Sequence, residues 1–221
     1  LLLPAGGFKM SYAKVYEGWQ ANPEAFWLEA ARALDWDRFP SKALNDDNAP
    51  YYTWFDDGMI NTCFNAVDRH VIAGNGDQVA IIHDSPITNS ITKLTYSELQ
   101  NRVAKLAGAL RAQGVTKGDR VILYMPMVPQ ALEAMLACTR IGAIHSVVFG
   151  GFAANELAVR IDDCEPKAII AASCGLEPNR VVQYKPLLDG AIDIATHKPD
   201  FCVILQREQH VAPMVKGRDL D

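Results

Sequence analysis

The sequence has few cysteines for its length and no closely spaced pair among them. Five cysteines occur in 221 residues, an odd number, and none lies in a Cys-x-x-Cys motif. A disulfide framework requires paired cysteines, and a structural zinc site requires closely spaced thiols or imidazoles. Neither is therefore expected. We expect instead free, buried thiols in a reducing compartment.

An excess of positive charge is also missing. Lysine and arginine number 21 against 26 aspartate and glutamate residues, which gives a net charge of −5. This balance disfavours nonspecific attraction to nucleic acid or to a membrane surface, so neither is an expected partner. The most apolar stretch, residues 141–159, is interrupted by His145, Asn155 and Glu156 and does not resemble a membrane span. Hydrophobic residues make up 49% of the chain, as in ordinary globular proteins.

Two glycine signatures of nucleotide binding are absent from the sequence. No Gly-x-Gly-x-x-Gly follows an apolar strand, and no Gly-x-x-x-x-Gly-Lys-Ser/Thr occurs. A nicotinamide-dependent oxidoreductase would share an α/β fold, but it needs the first pattern and an acidic residue about 20 positions later. That class of enzyme is therefore disfavoured.

What the sequence does contain is a regular alternation of apolar strands and amphipathic helices. Asn22 before Pro23 predicts the start of an early helix, and Thr95 with Glu98 forms a capping box. Strands are predicted at 79–83, 91–94, 120–124, 143–148, 167–172 and 201–205. One helix is predicted to follow the Thr95 capping box, with an apolar face from Leu99 to Leu110 and a stop at Gly114. Further helices are predicted at 128–141, 154–163 and 182–195.

Continuous apolar strands separated by helices are typical of a parallel sheet that is covered on both faces. We predict an α/β fold with a mostly parallel, doubly wound sheet, preceded by a helical and irregular N-terminal extension. The extension is assigned to residues 1–73 and the α/β subdomain to residues 74–221. Met10 is a candidate natural start, and the end at Asp221 is interpreted as an unfinished sheet.

Two loops at the carboxyl ends of predicted strands are candidate ligand sites. The first is Phe149-Gly150-Gly151, where glycines allow close approach of a ligand and a helix N-terminus follows. Glycines also occur in such turns for steric reasons alone. The second loop is 177–180, Glu-Pro-Asn-Arg, where Arg180 offers a planar donor fork for phosphate. The alternative for Arg180 is an ordinary surface arginine.

Several stretches together resemble one family. The sequence Leu-Thr-Tyr-Ser-Glu-Leu at 94–99 is similar to the first core motif of the adenylate-forming enzymes. The run at 137–152, Ala-Cys-Thr-Arg-Ile-Gly-Ala-Ile-His-Ser-Val-Val-Phe-Gly-Gly-Phe, resembles the acetyl- and propionyl-CoA synthetase branch specifically. Residues before the α/β region resemble the N-terminal extension of that branch, namely Trp54-Phe55, Gly58, Asn61, Asn65 and Asp68-Arg69-His70.

The resemblance implies an AMP-forming ligase that joins a short carboxylic acid to coenzyme A. The acid attacks ATP to give an acyl-adenylate and pyrophosphate, and the CoA thiol then displaces AMP. ATP and CoA would be the substrates, with Mg²⁺ required by the full-length enzyme. The family's phosphate loop, acyl pocket, ribose aspartate and catalytic lysine do not occur in this chain. We therefore expect no catalytic residue here, and expect the C-terminal portion of the same protein to be the partner that completes the site.

The resemblance also assigns candidate CoA contacts. The segment Glu177, Pro178, Asn179 and Arg180 matches the family's contact to the 3′-phosphate, and the glycine loop at 149–151 borders the same nucleotide. The acetyl-type pattern is Arg-x-Gly-Arg, so Glu177 stands where an arginine is expected and would repel the phosphate. The Glu-Pro-x-Arg version looks more like the propionyl-CoA synthetase type known from mitochondria and bacteria.

Two questions remain open at this point. A stand-alone CoA-binding, nucleotide-binding or regulatory module without catalysis would share these sequence features. The compartment implied is the bacterial cytoplasm, or the mitochondrial matrix in a eukaryote.

Overall fold

The structure is a computed structural model that describes residues 11–221. The candidate start at Met10 lies outside the described residues. The chain divides into two compact units, the first ending at Asn61 and the second spanning Thr62–Asp221. The domain boundary placed between residues 73 and 74 stays a prediction.

The first unit is helical and irregular, as expected for the extension. Asn22 caps the second helix through its side-chain oxygen, which accepts a hydrogen bond from the Ala25 N–H at 2.9 Å. Trp36 packs edge-on against Phe39 and Phe55. The elements of this unit are α1 (Tyr12–Ala21), α2 (Pro23–Ala31), β1 (Leu44–Asn45) and β2 (Thr53–Trp54), with β1 and β2 antiparallel.

The second unit begins with two π-helical turns, Phe64–Asp68 and Val71–Asn75, and continues as alternating strands and helices. Its strands are β3 (Val79–Ser85), β4 (Ser90–Thr95), β5 (Arg120–Met125), β6 (Ile144–Phe149), β7 (Ala168–Ala172), β8 (Cys174–Glu177), β9 (Arg180–Gln183), β10 (Phe201–Leu205) and β11 (Asp219–Leu220). Its helices are α3 (Tyr96–Ala112), α4 (Pro129–Ile141), α5 (Ala154–Cys164) and α6 (Tyr184–Ile194).

Five strands form one parallel sheet in the order β11-β10-β7-β5-β6. The chain runs from β5 outward to β6, then crosses back to β7 on the other side of β5. The strand order therefore reverses between β5 and β7, and open α/β sheets bind their ligands at such a switch point. The predicted doubly wound, parallel sheet is confirmed.

The core has two apolar layers, one on each face of this sheet. Along β5, Val121, Leu123 and Met125 face the layer that contains α3 and α4. Ile122 and Tyr124 face the opposite layer, built with α5 and α6. Because side chains alternate along a strand, a continuous apolar run is what burial on both faces requires.

The second unit also contains two antiparallel hairpins, β3–β4 and β8–β9. The hairpin β3–β4 was predicted, and its second strand leads into the capping box, in which Thr95 and Glu98 each accept the other's backbone N–H. The hairpin β8–β9 was not predicted. Val182 and Gln183 were assigned to the start of a helix, which was wrong, because they pair with Gly175 and Cys174 and α6 begins at Tyr184.

All five cysteines are free, and four of them are buried, as expected. Among residues 11–221, no helix is both long and apolar enough to cross a membrane.

Candidate functional site

A cavity of about 370 Å³ opens at the carboxyl ends of the parallel strands. The segments after β5, β6 and β10 and the hairpin after β7 each contribute to its lining. The lining residues are His83, Ser85, Ile87, Met125, Pro126, Met127, Val128, Val147, Val148, Phe149, Gly150, Leu176, Glu177, Tyr184 and Arg207. The cavity therefore occupies the switch point of the sheet, where the topology alone favours a ligand site.

The glycine loop after β6 forms one wall of this cavity. Phe149 and Gly150 line it, and Gly151 follows with a φ of +90°, a conformation that glycine adopts without strain. The Tyr124 hydroxyl donates a 2.8 Å hydrogen bond to the Phe152 carbonyl and so ties the loop to β5. Burial raises the pKa of Tyr124 to about 12, so its hydroxyl stays neutral and keeps donating.

Gly150 also has a steric reason to be glycine. A Cβ atom at this position would lie 2.6 Å from the Tyr184 hydroxyl oxygen and 2.7 Å from the Met125 carbonyl oxygen. Both distances are far below van der Waals contact, so a side chain cannot be accommodated without movement. Gly150 is therefore explained by close packing alone, and a glycine at this position would also allow a ligand to approach closely.

The segment 177–180 is the tip of the β8–β9 hairpin. Glu177 and Arg180 pair in register, with Pro178 and Asn179 in the turn between them. The Arg180 guanidinium donates to both carboxylate oxygens of Glu177, from Nε at 2.7 Å and from Nη2 at 3.1 Å. The hydrogen bonds from Arg180 lower the pKa of Glu177, and those same bonds raise the pKa of Arg180.

This ion pair changes the charge that the hairpin tip presents to a ligand. Both side chains are largely exposed, so the pair itself adds little stability. Its main effect is local, because the carboxylate neutralises part of the guanidinium charge and occupies two of its donors. The expected repulsion between Glu177 and a phosphate is thus partly compensated within the hairpin.

The structure brings together some of the predicted site residues and not others. Phe149, Gly150 and Glu177 line the same cavity, although they lie on different elements. Gly151 is adjacent to this lining, whereas Pro178, Asn179 and Arg180 project from the hairpin tip and are not among the lining residues. The candidate site therefore consists of an enclosed part and an exposed cationic rim.

Sequence reasoning missed four polar residues of the cavity, namely His83, Ser85, Tyr184 and Arg207. Arg207 follows β10 by two residues, so it could have been found as a cation at the carboxyl end of a predicted strand. Its backbone N–H donates to Ser173 Oγ at 2.9 Å, and its Nη1 donates to the Cys174 carbonyl at 3.1 Å. Tyr184 carried no such signal, because it was placed within a predicted helix.

A second cavity, of about 620 Å³, lies near the amino end of β5 and is lined by Arg111, Lys117 and Arg140 among others. Arg140 is already bound there, since it donates to both Asp68 carboxylate oxygens at 2.8 and 3.0 Å. This cavity is larger, but it is at the edge of the sheet that parallel α/β folds do not use for ligands. We therefore assign the site to the carboxyl edge.

No group of three histidine, cysteine, aspartate or glutamate side chains within residues 11–221 could hold a metal ion. No chemical step is assigned to a metal in this chain.

Comparison with family models identifies the chain. The model of the AMP-binding enzyme family matches residues 68–216, and the model of the acetyl-coenzyme A synthetase N-terminus matches residues 12–66. The chain belongs to the AMP-binding enzyme family. It corresponds to the N-terminal part of short-chain acyl-CoA synthetases, with both the extension and the first α/β subdomain present.

Individual relatives agree with this assignment. The chain is 51% identical over 202 residues to the mitochondrial acyl-CoA synthetase short-chain family member 3 of Rattus norvegicus, covering 91% of the chain and 30% of the relative. It is 44% identical to the acetyl-coenzyme A synthetase of Streptomyces avermitilis, with 94% and 32% covered, and 41% identical to the propionate–CoA ligase of Escherichia coli, with 96% and 34% covered. The chain thus spans about a third of the length of these relatives.

Proposed function

We propose that the protein to which this chain belongs is an ATP-dependent acid–CoA ligase that acts on a short carboxylic acid, acetate or propionate. The observation that carries the proposal is the match of both family models in the order of the acetyl-CoA synthetases, over residues 12–66 and 68–216. The names of the relatives support it, since they are acyl-CoA synthetases, an acetyl-CoA synthetase and a propionate–CoA ligase.

The proposed reaction has two half-reactions. A carboxylate oxygen of the acid attacks the α-phosphorus of ATP and expels pyrophosphate, which forms the acyl-adenylate. The CoA sulfur then attacks the acyl carbon and expels AMP, which leaves acyl-CoA. The phosphate loop, acyl pocket and catalytic lysine needed for the first half-reaction have no match in these 221 residues. The C-terminal portion of the protein supplies them in this proposal.

The role proposed for this chain is to bind CoA. Phe149, Gly150 and Gly151 form the wall beside the nucleotide, and the hairpin tip from Glu177 to Arg180 faces the 3′-phosphate. Arg180 supports this role because its guanidinium is exposed and its Nη1 has no hydrogen bond within the described part of the chain. Pro178 and Asn179 make the tight turn that holds Arg180 opposite Glu177.

Replacement of Arg180 tests the CoA role. In the full-length enzyme, Arg180→Ala is expected to raise the KM for CoA about 10- to 150-fold, because a hydrogen bond to a charged group contributes about 1.5–3 kcal/mol. Acid-dependent ATP–pyrophosphate exchange, which does not require CoA, should be spared. An unchanged KM for CoA would remove Arg180 from the site.

Glu177 offers a second test in the same hairpin, with the opposite expected sign. Glu177→Gln removes the negative charge that competes with phosphate for Arg180, while it keeps the size of the side chain. We expect this variant to lower the KM for CoA. An increase would mean that the ion pair is needed to position Arg180.

The choice between acetate and propionate is proposed from the hairpin tip alone. The Glu-Pro-Asn-Arg sequence favours propionate. CoA-dependent AMP formation by the full-length enzyme with acetate, propionate and butyrate measures this preference directly. A kcat/KM that is highest for acetate would overturn it.

A stand-alone binding or regulatory module is the alternative function. It predicts CoA binding without acid-dependent ATP–pyrophosphate exchange in the full-length protein. For localisation we propose the bacterial cytoplasm or the mitochondrial matrix, supported by relatives from bacteria and from mitochondria and by the five free cysteines. Fractionation of the native cells tests this assignment.

A further inference from the structure

The cavity at the switch point contains a tyrosine hydroxyl that lacks a protein partner. The Tyr184 side chain lines the cavity although the residue is only 6% exposed. Its ring packs against Tyr124, with the ring centroids 5.1 Å apart. The structure shows no hydrogen bond between the Tyr184 hydroxyl and any residue from 11 to 221. Since no fully buried polar side-chain atom of these residues lacks a partner, the hydroxyl oxygen is accessible from the cavity. A tyrosine buried to this extent normally has a partner, so the hydroxyl is available to a ligand in the cavity.

The position of this hydroxyl is fixed by two glycines. A Cβ atom at Gly150 would lie 2.6 Å from the Tyr184 oxygen, and a Cβ atom at Gly175 would overlap the same oxygen. The hydroxyl therefore fits between the loop after β6 and the β8–β9 hairpin, in a space that only glycine leaves open. Such confinement holds a donor in place before the ligand arrives, which reduces the entropic cost of binding.

A fixed cation lines the same cavity. Among the residues that the structure describes, Arg207 is the one lysine or arginine that lines this cavity. One of its nitrogens is held by the Cys174 carbonyl, and its backbone is held by Ser173. The other charged lining residue is Glu177, whose two carboxylate oxygens already accept hydrogen bonds from Arg180. Arg207 is therefore the charged side chain in this cavity that can bind an anion.

We infer that Tyr184 and Arg207 form a subsite that binds the diphosphate of CoA, separate from the contact of Arg180 with the 3′-phosphate. This inference rests on the proposed CoA-binding function. A phenol and a guanidinium both donate hydrogen bonds, and phosphate oxygens accept them. Burial raises the pKa of Tyr184 and nearby Arg207 lowers it only in part, so at neutral pH the phenol is protonated and donates.

Conservative variants of the full-length enzyme test the subsite. Tyr184→Phe keeps the ring against Tyr124 and removes only the hydroxyl, so the KM for CoA should rise about 2- to 12-fold. Arg207→Gln should raise it about 10-fold or more, because it removes a charged donor. The matched controls Tyr51→Phe and Arg111→Gln, outside this cavity, should leave the KM for CoA unchanged. Acid-dependent ATP–pyrophosphate exchange by the same preparations reports that each variant is folded.

Dephospho-CoA, which keeps the diphosphate and lacks the 3′-phosphate, separates the two anion contacts. With this acceptor the penalties of Tyr184→Phe and Arg207→Gln should persist, whereas the penalty of Arg180→Ala should disappear. Loss of the Tyr184 and Arg207 penalties with dephospho-CoA would overturn the assignment to the diphosphate.

The remaining outcomes are also decisive. A change in the KM for the carboxylic acid, with no change for CoA, would show that the cavity binds the acid and would overturn the inference. If Arg180→Ala raises the KM for CoA while Tyr184→Phe and Arg207→Gln do not, the proposed function stands and the subsite is wrong. If the wild-type enzyme forms no acyl-CoA from any short acid, the proposed function itself fails.

Discussion

At the scale of single residues, two glycines determine the shape of the candidate site. Gly150 and Gly175 leave room for the Tyr184 hydroxyl, and in each case one Cβ atom would close that space. At Gly150 the added Cβ atom would also push against the Met125 carbonyl, which belongs to the central strand β5 and cannot move easily. Packing and ligand access thus depend on the same atoms.

Gly150→Ala is expected to destabilise the protein. Because the new methyl group would meet backbone as well as a packed tyrosine, the free energy of unfolding should fall by about 1–3 kcal/mol. Urea unfolding followed by circular dichroism measures the change. Gly108→Ala is the matched control, since a Cβ atom there has nothing within 4 Å and the residue lies inside α3. The free energy of unfolding of that variant should rise by about 0.5–1 kcal/mol. A decrease equal to that of Gly150→Ala would contradict the steric argument.

At the scale of elements, local signals define where helices begin. The capping box at the start of α3 has both of its hydrogen bonds, from Glu98 N–H to Thr95 Oγ1 at 3.2 Å and from Thr95 N–H to Glu98 Oε2 at 2.8 Å. Thr95→Ala should therefore lower the free energy of unfolding by about 1 kcal/mol. Thr95→Ser keeps the hydroxyl and should retain most of the stability that the cap provides. Equal losses in the two variants would mean that the methyl group, and not the cap, is what matters.

A buried ionic cluster links α6 to β11. The Lys185 amine lies 2.6 Å from Asp189 and 2.9 Å from Asp219, and Arg218 pairs with both of these aspartates. The side chains of Lys185 and Asp219 are 1% and 0% exposed. Removing one member would leave a buried charge without its partner, so Asp219→Asn should lower the free energy of unfolding by about 3–5 kcal/mol. Asp193→Asn, an exposed change in the same helix, should be close to neutral.

The same cluster predicts a dependence of stability on pH. Burial raises the pKa of Asp219, but the hydrogen bonds from Arg218, from the Val215 N–H and from Lys185 outweigh it, and the net pKa is lowered. A carboxyl whose folded pKa lies below its unfolded pKa stabilises fully above the unfolded value, about 3.9. That contribution is lost as the pH falls through the lower folded pKa. As the pH is lowered into this range, the free energy of unfolding measured by denaturant titration should fall less steeply in Asp219→Asn than in the wild type.

At the scale of the whole molecule, the chain lacks the catalytic motifs of its family, and the role proposed for it is to bind CoA. It spans about a third of the length of its relatives, and the family's adenylation motifs are absent from its 221 residues. The chain by itself should therefore give no acid-dependent ATP–pyrophosphate exchange, whereas the proposed function predicts this exchange for the full-length protein. Radiolabelled pyrophosphate exchange with acetate and propionate checks this. Exchange by the isolated chain would overturn the division of roles.

The sequence by itself determined the fold class, the family and most of the elements. These follow from local or contiguous signals: the apolar runs of β5, β7 and β10, the Asn22 cap and the Thr95 box, each of which acts within a few residues. The glycine loop and the segment 177–180 could be placed at the carboxyl ends of strands for the same reason. Whether these two segments bind CoA is still a prediction.

Only the tertiary structure decided what the cavity contains. The β8–β9 hairpin turned two predicted helical residues into strand because their hydrogen-bond partners lie in β8. Tyr184 and Arg207 line one cavity with Gly150 only after the crossover connections place β10, β7, β5 and β6 in this order in one sheet. Contacts between residues far apart in sequence depend on strand order and register, and no local pattern of residues encodes these.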